Sequence, residues 1–131
     1  MVEDFKKYLK QRHFDKTLER HIKKFDGKKI VVYGTGTMFE AIVKNYDLSK
    51  LNIIAVADRK FAATKPDKYL GYDTVAPDNI ADLKPDVVLV GVLKTVAIVE
   101  DLRYGTLVNT GIQVYPMVDR KIFEILKEIW Y

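Results

Sequence analysis

The sequence predicts an α/β protein built on an open parallel sheet of about five strands. Short continuous apolar runs recur along the chain, at Ile30–Tyr33, Ile53–Val56 and Val87–Val90. Such runs, β-branched and bounded by glycine or polar residues, mark strands buried on both faces. Segments of about ten residues with helical apolar spacing lie between them. Strands alternating with helices require right-handed crossovers, and hence parallel pairing.

Taken in order, residues 2–24 read as one amphipathic helix. Phe14, Leu18, Ile22 and Phe25 fall at helical spacing, Phe5 and Leu9 extend the stripe upstream, and Asp26-Gly27 stops it. Residues 1–28 thus form an N-terminal helical segment, and residues 29–131 one domain in a single compact unit. Ile30–Tyr33 is the first strand. Thr37–Tyr46 is helical through Phe39, Ile42 and Val43, and Asn52–Val56 is a second buried strand that leads to Asp58. The polar stretch Phe61–Tyr69 reads as a loop, and Tyr72–Val75 as a short strand. Ala76-Pro77-Asp78 places proline at the first position of a helix running to about Leu83. Asp86–Val92 is the most apolar strand. Thr95 caps a helix reaching Arg103, Asn109-Thr110-Gly111 turns the chain, and Ile112–Tyr115 is the last strand. Ile122, Ile125, Leu126 and Ile129 define a final amphipathic helix, widened by Phe123 and Trp130. The five strands suit the spatial order 3-2-1-4-5.

Composition narrows the function. The chain has 131 residues, 48% of them hydrophobic, which suits one packed domain and excludes wholesale disorder. It has no cysteine, so a disulfide scaffold, a thiolate metal site, a cysteine nucleophile and an iron–sulfur cluster are all excluded. That composition suits a reducing compartment. No apolar run approaches the roughly 18 residues of a membrane span, and the charged start is not a signal peptide, so a cytoplasmic location is expected. The net charge of +4 is local. Residues 1–29 carry ten basic and five acidic side chains; the remainder carries twelve and thirteen. One basic helix builds no helix-turn-helix, and Phe5, Tyr8 and Phe14 are spaced as a buried stripe, so nucleic acid is not the expected partner.

In an open α/β sheet, ligands bind beyond the carboxyl ends of the strands where the strand order reverses. Here that point lies between Tyr33 and Val92. The first strand runs into Gly34-Thr35-Gly36-Thr37-Met38-Phe39. The first glycine permits a tight turn. The second lets backbone approach a phosphate, which the N–H groups and dipole of the following helix favour. Asp58 comes 24 residues after Gly34, near the spacing at which a carboxylate grips ribose hydroxyls. Arg59 and Lys60 suit a 2′-phosphate, but Asp58 repels one, so NAD is expected ahead of NADP. Gly91 and Lys94, beside Thr95, face the same crevice from the fourth strand. The expected ligand-binding set is therefore Gly34, Thr35, Gly36, Thr37, Met38, Asp58, Arg59, Gly91 and Lys94. Phe39 replaces the third glycine of the dinucleotide motif, so its ring must displace the helix or point elsewhere.

No catalytic set assembles. His13 and His21 both lie on the N-terminal helix, eight residues apart, too far for a metal pair on adjacent turns. Tyr46 and Lys50 reproduce the Tyr-x-x-x-Lys spacing of short-chain dehydrogenases, in the wrong part of such a fold. No metal-ligand cluster is expected.

Lys29–Gly36, Ala55-Val56-Ala57-Asp58, Gly71–Val75 and Lys84–Val90 together resemble the small Rossmann-like modules of bacterial polysaccharide and nucleotide-sugar biosynthesis proteins. These include CoA-binding-like domains, the N-terminal parts of sugar-nucleotide dehydratases and the C-terminal domain of sugar C-methyltransferases. The resemblance covers about residues 28–117. It implies a three-layer Rossmann-like fold in which Gly34, Gly36 and Asp58 contact NAD or a nucleotide-sugar. Unlike sugar acetyltransferase relatives, this chain has no Gly-His after the glycine turn. The reading that follows is a nucleotide-binding accessory or regulatory module. The alternatives are an NAD(P)-dependent oxidoreductase or sugar-nucleotide-modifying enzyme completed by a partner, and an interaction domain with a vestigial site. A methyltransferase using S-adenosylmethionine is less favoured, because Tyr33 stands where an acidic residue often closes the first strand. The partners such a chain would take are a nucleotide, a second copy in a homodimer, or a larger biosynthetic enzyme.

Overall fold

Two apolar strands, Ile30–Tyr33 (β1) and Val87–Val90 (β5), are buried at every position and form the centre of the sheet. In the computed structural model, which describes residues 2–119 and residue 129, they pair in parallel from Ile30↔Val87 to Tyr33↔Val90. Ile53–Ala57 (β2) lies parallel on the other side of β1, and Tyr72–Val75 (β4) lies outside β2. Gln113–Pro116 (β6) flanks β5, also in parallel. A two-residue strand, Lys68–Tyr69 (β3), pairs antiparallel with β4, giving the six-stranded order β3-β4-β2-β1-β5-β6. Without β3, that is the order expected for five strands.

Alternate residues of the strands feed two separate apolar clusters. Ile30, Val32, Val56 and Leu89 pack with Leu9, Phe14, Leu18, Phe39 and Ile42. These last five come from Val2–Gln11 (α1), Phe14–Lys24 (α2) and Thr37–Asn45 (α3). Val31, Tyr33, Val88 and Val90 pack with Ile80, Val99, Leu102 and Leu107 on the opposite face. Val99 belongs to Thr95–Asp101 (α4). Complete burial of a side chain such as Phe14 or Leu89 stabilises the fold by about 1.5–3 kcal/mol each. Among the described residues, no helix is long and apolar enough to cross a membrane.

Several elements differ from expectation. The single helix over 2–24 is two helices, broken where His13 adopts a left-handed φ of 52°. Five residues of unbroken helix would put Leu9 and Phe14 about 140° apart around the axis. The break re-aims the chain, and both are fully buried. The Phe61–Tyr69 loop begins in a 3-10 turn, Arg59–Ala62, and ends in β3. A tight hairpin through Leu70 and Gly71, both at positive φ, connects β3 to β4. The helix over Pro77–Leu83 is two 3-10 turns, Pro77–Asn79 and Ala81–Leu83, pivoting on the fully buried Ile80. Beyond α4, the chain opens into a π-helical turn, Leu102–Thr106. Its bond from Leu107 N to Leu102 O, 2.8 Å, keeps both leucines buried against the sheet. Of the expected final helix, Ile122, Ile125 and Leu126 fall outside the described residues, and Ile129 is helical and exposed.

Candidate functional site

β1 ends in a turn that only glycine can make. Gly34 has φ +108°, and a Cβ there would lie 2.4 Å from Val92 Cγ1. The backbone angle alone favours glycine, and a side chain would also have to displace the Val92 methyl that follows β5. Thr35 follows, fully buried, and its backbone N and Oγ1 donate to Asp58 Oδ2 at 3.0 and 2.8 Å. Lys60 N donates to the other oxygen at 3.2 Å. From β3, the Tyr69 hydroxyl donates to Thr35 O at 2.7 Å. The glycine turn is thus held by the end of β2 and by the β3–β4 hairpin.

Burial pushes the Asp58 carboxyl up. The two hydrogen bonds from Thr35, the Lys60 N–H and the Lys60 charge outweigh it and hold the group below its ordinary value of 3.8. Asp58 is therefore a carboxylate at neutral pH, saturated at Oδ2 and lightly held at Oδ1.

Gly36 caps α3 with φ −81°, an angle open to any residue, and no side chain caps the helix. Nothing lies within 4 Å of the position its Cβ would occupy. The first-turn N–H groups of Thr37, Met38 and Phe39 have no intrahelical acceptor; Gly36 is exposed and Thr37 half-buried, while Met38 and Phe39 are buried, so the helix start is open at its first residue. This is the site's anion-binding capacity, and it is made of backbone. The Phe39 ring has turned away from the turn. It is fully buried, its centre 6.2 Å from that of Tyr72, so α3 keeps its place with no third glycine.

A cleft of about 470 Å³ opens at the same end of the sheet, on the α4 face opposite α3; of the expected ligand-binding set, Arg59 alone lines it. Tyr33, Ile98 and Leu102 give it apolar walls, Pro77 closes one side, and Arg59 and Asp101 stand across it. Their ion pair spans 3.7 Å between side chains 73% and 70% exposed, so it contributes little.

The sequence-predicted residues divide accordingly. Gly34, Thr35, Asp58 and Gly91 come together. Thr35, Met38 and Gly91 are buried; the Thr35 N–H and carbonyl are taken by Asp58 and Tyr69, and Met38 belongs to the apolar cluster beneath α3. A Cβ on Gly91 would meet Val32 Cγ1, Met117 Sδ and Gly34 O at 3.5, 3.6 and 3.7 Å. These are ordinary contacts, so Gly91 backs the turn without being forced to be glycine. Gly36, Arg59 and Lys94 are exposed, and Thr37 is half-buried. Lys94 holds the cap position of α4, and Thr95, expected there, sits one residue inside the helix, buried. The cleft residues Ile98, Asp101 and Leu102 were not in the expected set. Their signal was present only as an apolar stripe on the helix after β5. Neither histidine lines the cleft. Among the described residues, no group of three or more His, Cys, Asp or Glu is placed to hold a metal.

The fold defines a mixed α/β protein on a mostly parallel six-stranded sheet. Residues 26–113 match the model of the family described as C2185-like, N-terminal, and the chain belongs to that family. No curated protein and no solved structure matches it.

Proposed function

We propose that the chain is a Rossmann-like, three-layer nucleotide-binding module, with NAD or a nucleotide-sugar as its ligand, acting as an accessory or regulatory domain. One observation carries the reading. The glycine turn delivers an uncapped helix start, an ionised carboxylate and an apolar-walled cleft to one end of the sheet. A pyrophosphate meets the amides of α3 past Gly36, a ribose hydroxyl donates to Asp58 Oδ1, and a base enters the cleft between Tyr33 and Ile98. Arg59 swings from Asp101 to cover it. The setting in polysaccharide and nucleotide-sugar metabolism rests on the sequence resemblance alone.

Calorimetric titration with NAD, NADP and UDP-sugars tests the reading. Saturable heat with one of them is expected, and its absence at millimolar ligand overturns it. Gly36→Val refines the test. The residue has permitted backbone angles and free space, so the fold stays intact while the side chain obstructs the amides. Affinity should fall at least about tenfold, the loss of roughly one charge-assisted hydrogen bond. Unchanged affinity would remove α3 from the binding site.

A further inference from the structure

A second cluster lies away from the cleft, where α2 meets the segment following β6. His21 is 3% exposed, and its Nε2 lies 2.8 Å from Met117 O. A carbonyl only accepts, so Nε2 carries the proton and Nδ1 is a bare lone pair. Among the described residues, Nδ1 is buried and has no hydrogen-bond partner. Around the ring the same two segments are joined again. Arg20 donates to both oxygens of Asp119, at 2.7 and 2.9 Å, and Thr17 Oγ1 donates to Asp119 Oδ2 at 3.2 Å. Phe25 stacks on the imidazole with ring centres 5.5 Å apart.

Met117 connects this junction to the glycine turn. Its N–H donates to Val90 O at 2.9 Å, and its side chain is fully buried. Its sulfur lies 3.6 Å from where a Cβ on Gly91 would stand, and Gly91 in turn backs Gly34. A displacement of Met117 is therefore felt one residue away from the turn.

We infer that His21 is a proton-sensitive clasp: as the neutral imidazole it seats α2 against the end of the sheet, and a second proton, taken at Nδ1, drives the ring out of its buried seat and so loosens Met117 beneath Gly91 and the glycine turn. A proton added at Nδ1 would be a buried N–H with no acceptor among the described residues, and it would bring a positive charge into the same buried ring. Among the described residues, the charged groups facing the ring are Arg20 and Lys24 from α2 and Asp119 from the segment after β6, with Tyr115 of β6 beside them. Burial depresses the ring's affinity for the proton most. The Met117 carbonyl opposes it, Arg20 and Lys24 add to it, and Asp119 opposes it while already engaged by Arg20 and Thr17. The balance lies below the ordinary 6.5. The unfolded chain thus takes the proton first, and stability that is whole above 6.5 declines as pH falls below it.

The test is urea denaturation of the whole chain from about pH 7.5 to about pH 4.5, where one differential proton lowers the folding constant by at most about tenfold per pH unit. His21→Gln keeps an N–H donor for Met117 O and takes no proton. Wild type should lose stability below 6.5 while the variant stays nearly level. Equal slopes overturn the inference. If the variant does not fold, heteronuclear NMR of His21 in wild type decides. An Nε2–H tautomer that resists protonation until well below 6.5 supports the clasp, and a ring titrating at or above 6.5 overturns it. The link to the turn is read from amide exchange at Met117, Gly91 and Val92, which should accelerate in acid beyond the intrinsic rate in wild type only. Protection unchanged there overturns the link. An effect on ligand affinity rests on the nucleotide reading above, but none of these measurements uses a ligand, so the two fail separately.

Discussion

Gly34→Ala puts a methyl group where two independent restrictions meet. The backbone stands at φ +108°, and the new Cβ would lie 2.4 Å from Val92 Cγ1. A left-handed angle costs a non-glycine residue roughly 1–2 kcal/mol. Overpacking against the half-buried Val92, whose branched side chain must turn or shift to make room, costs about 1–3 kcal/mol more. The sum, about 2–5 kcal/mol, is a large share of a small domain's total stability. Urea denaturation of wild type, Gly34→Ala, Val92→Ala and the double variant separates the two contributions. Shortening Val92 removes the clash and leaves the angle, so the alanine should cost at least about 1 kcal/mol less in that background. A Gly34→Ala protein within about 0.5 kcal/mol of wild type would refute the steric account of the turn. Full additivity would refute the Val92 contact specifically.

The same assay checks the residues that hold the turn. Tyr69→Phe removes only the hydroxyl that bonds Thr35 O, and should cost about 0.5–1.5 kcal/mol. No change would mean that the hairpin does not brace the turn. Asp58→Asn exchanges a charged acceptor for a neutral one facing the N–H and O–H of Thr35, with an expected loss of about 1–3 kcal/mol. Because the folded Asp58 is held below 3.8, its contribution is complete above that value and disappears as pH falls through the folded value. Acid titration should therefore destabilise wild type more than Asp58→Asn in this range, and matching acid limbs would refute the assignment.

The central strands were legible because burial on both faces leaves an unbroken apolar run, as in Ile30-Val31-Val32-Tyr33 and Val87-Val88-Leu89-Val90. Their order followed from alternation with helices. What escaped were features set by single backbone angles. His13 breaks the first helix in a left-handed conformation more usual for glycine or asparagine, and Leu70 enters the hairpin at φ 50° where asparagine is the usual signal. The two short 3-10 turns around Ile80 carried a proline at the right place for an α-helix, but only one apolar anchor to hold it. The cleft was invisible for a different reason. Its walls come from β1, the turn after β2, the 3-10 turns and α4, so no local pattern contains it.

The site itself was half legible. Gly34, Gly36 and Asp58 were singled out for what a ligand would ask of them, but two of the three have work to do without one. Gly34 is glycine because the turn holds it at φ +108° against Val92, and Asp58 is acidic in a place where Thr35 offers two donors to a single oxygen. Those demands alone would produce the same residues at the same spacing. Gly36 is different. Its φ is ordinary, its surroundings are empty, and a capping serine or aspartate would satisfy the amides of α3 better than glycine does. No packing requirement accounts for its bareness. Of the three, it is the residue whose substitution separates a turn kept for the fold from a turn kept for a ligand.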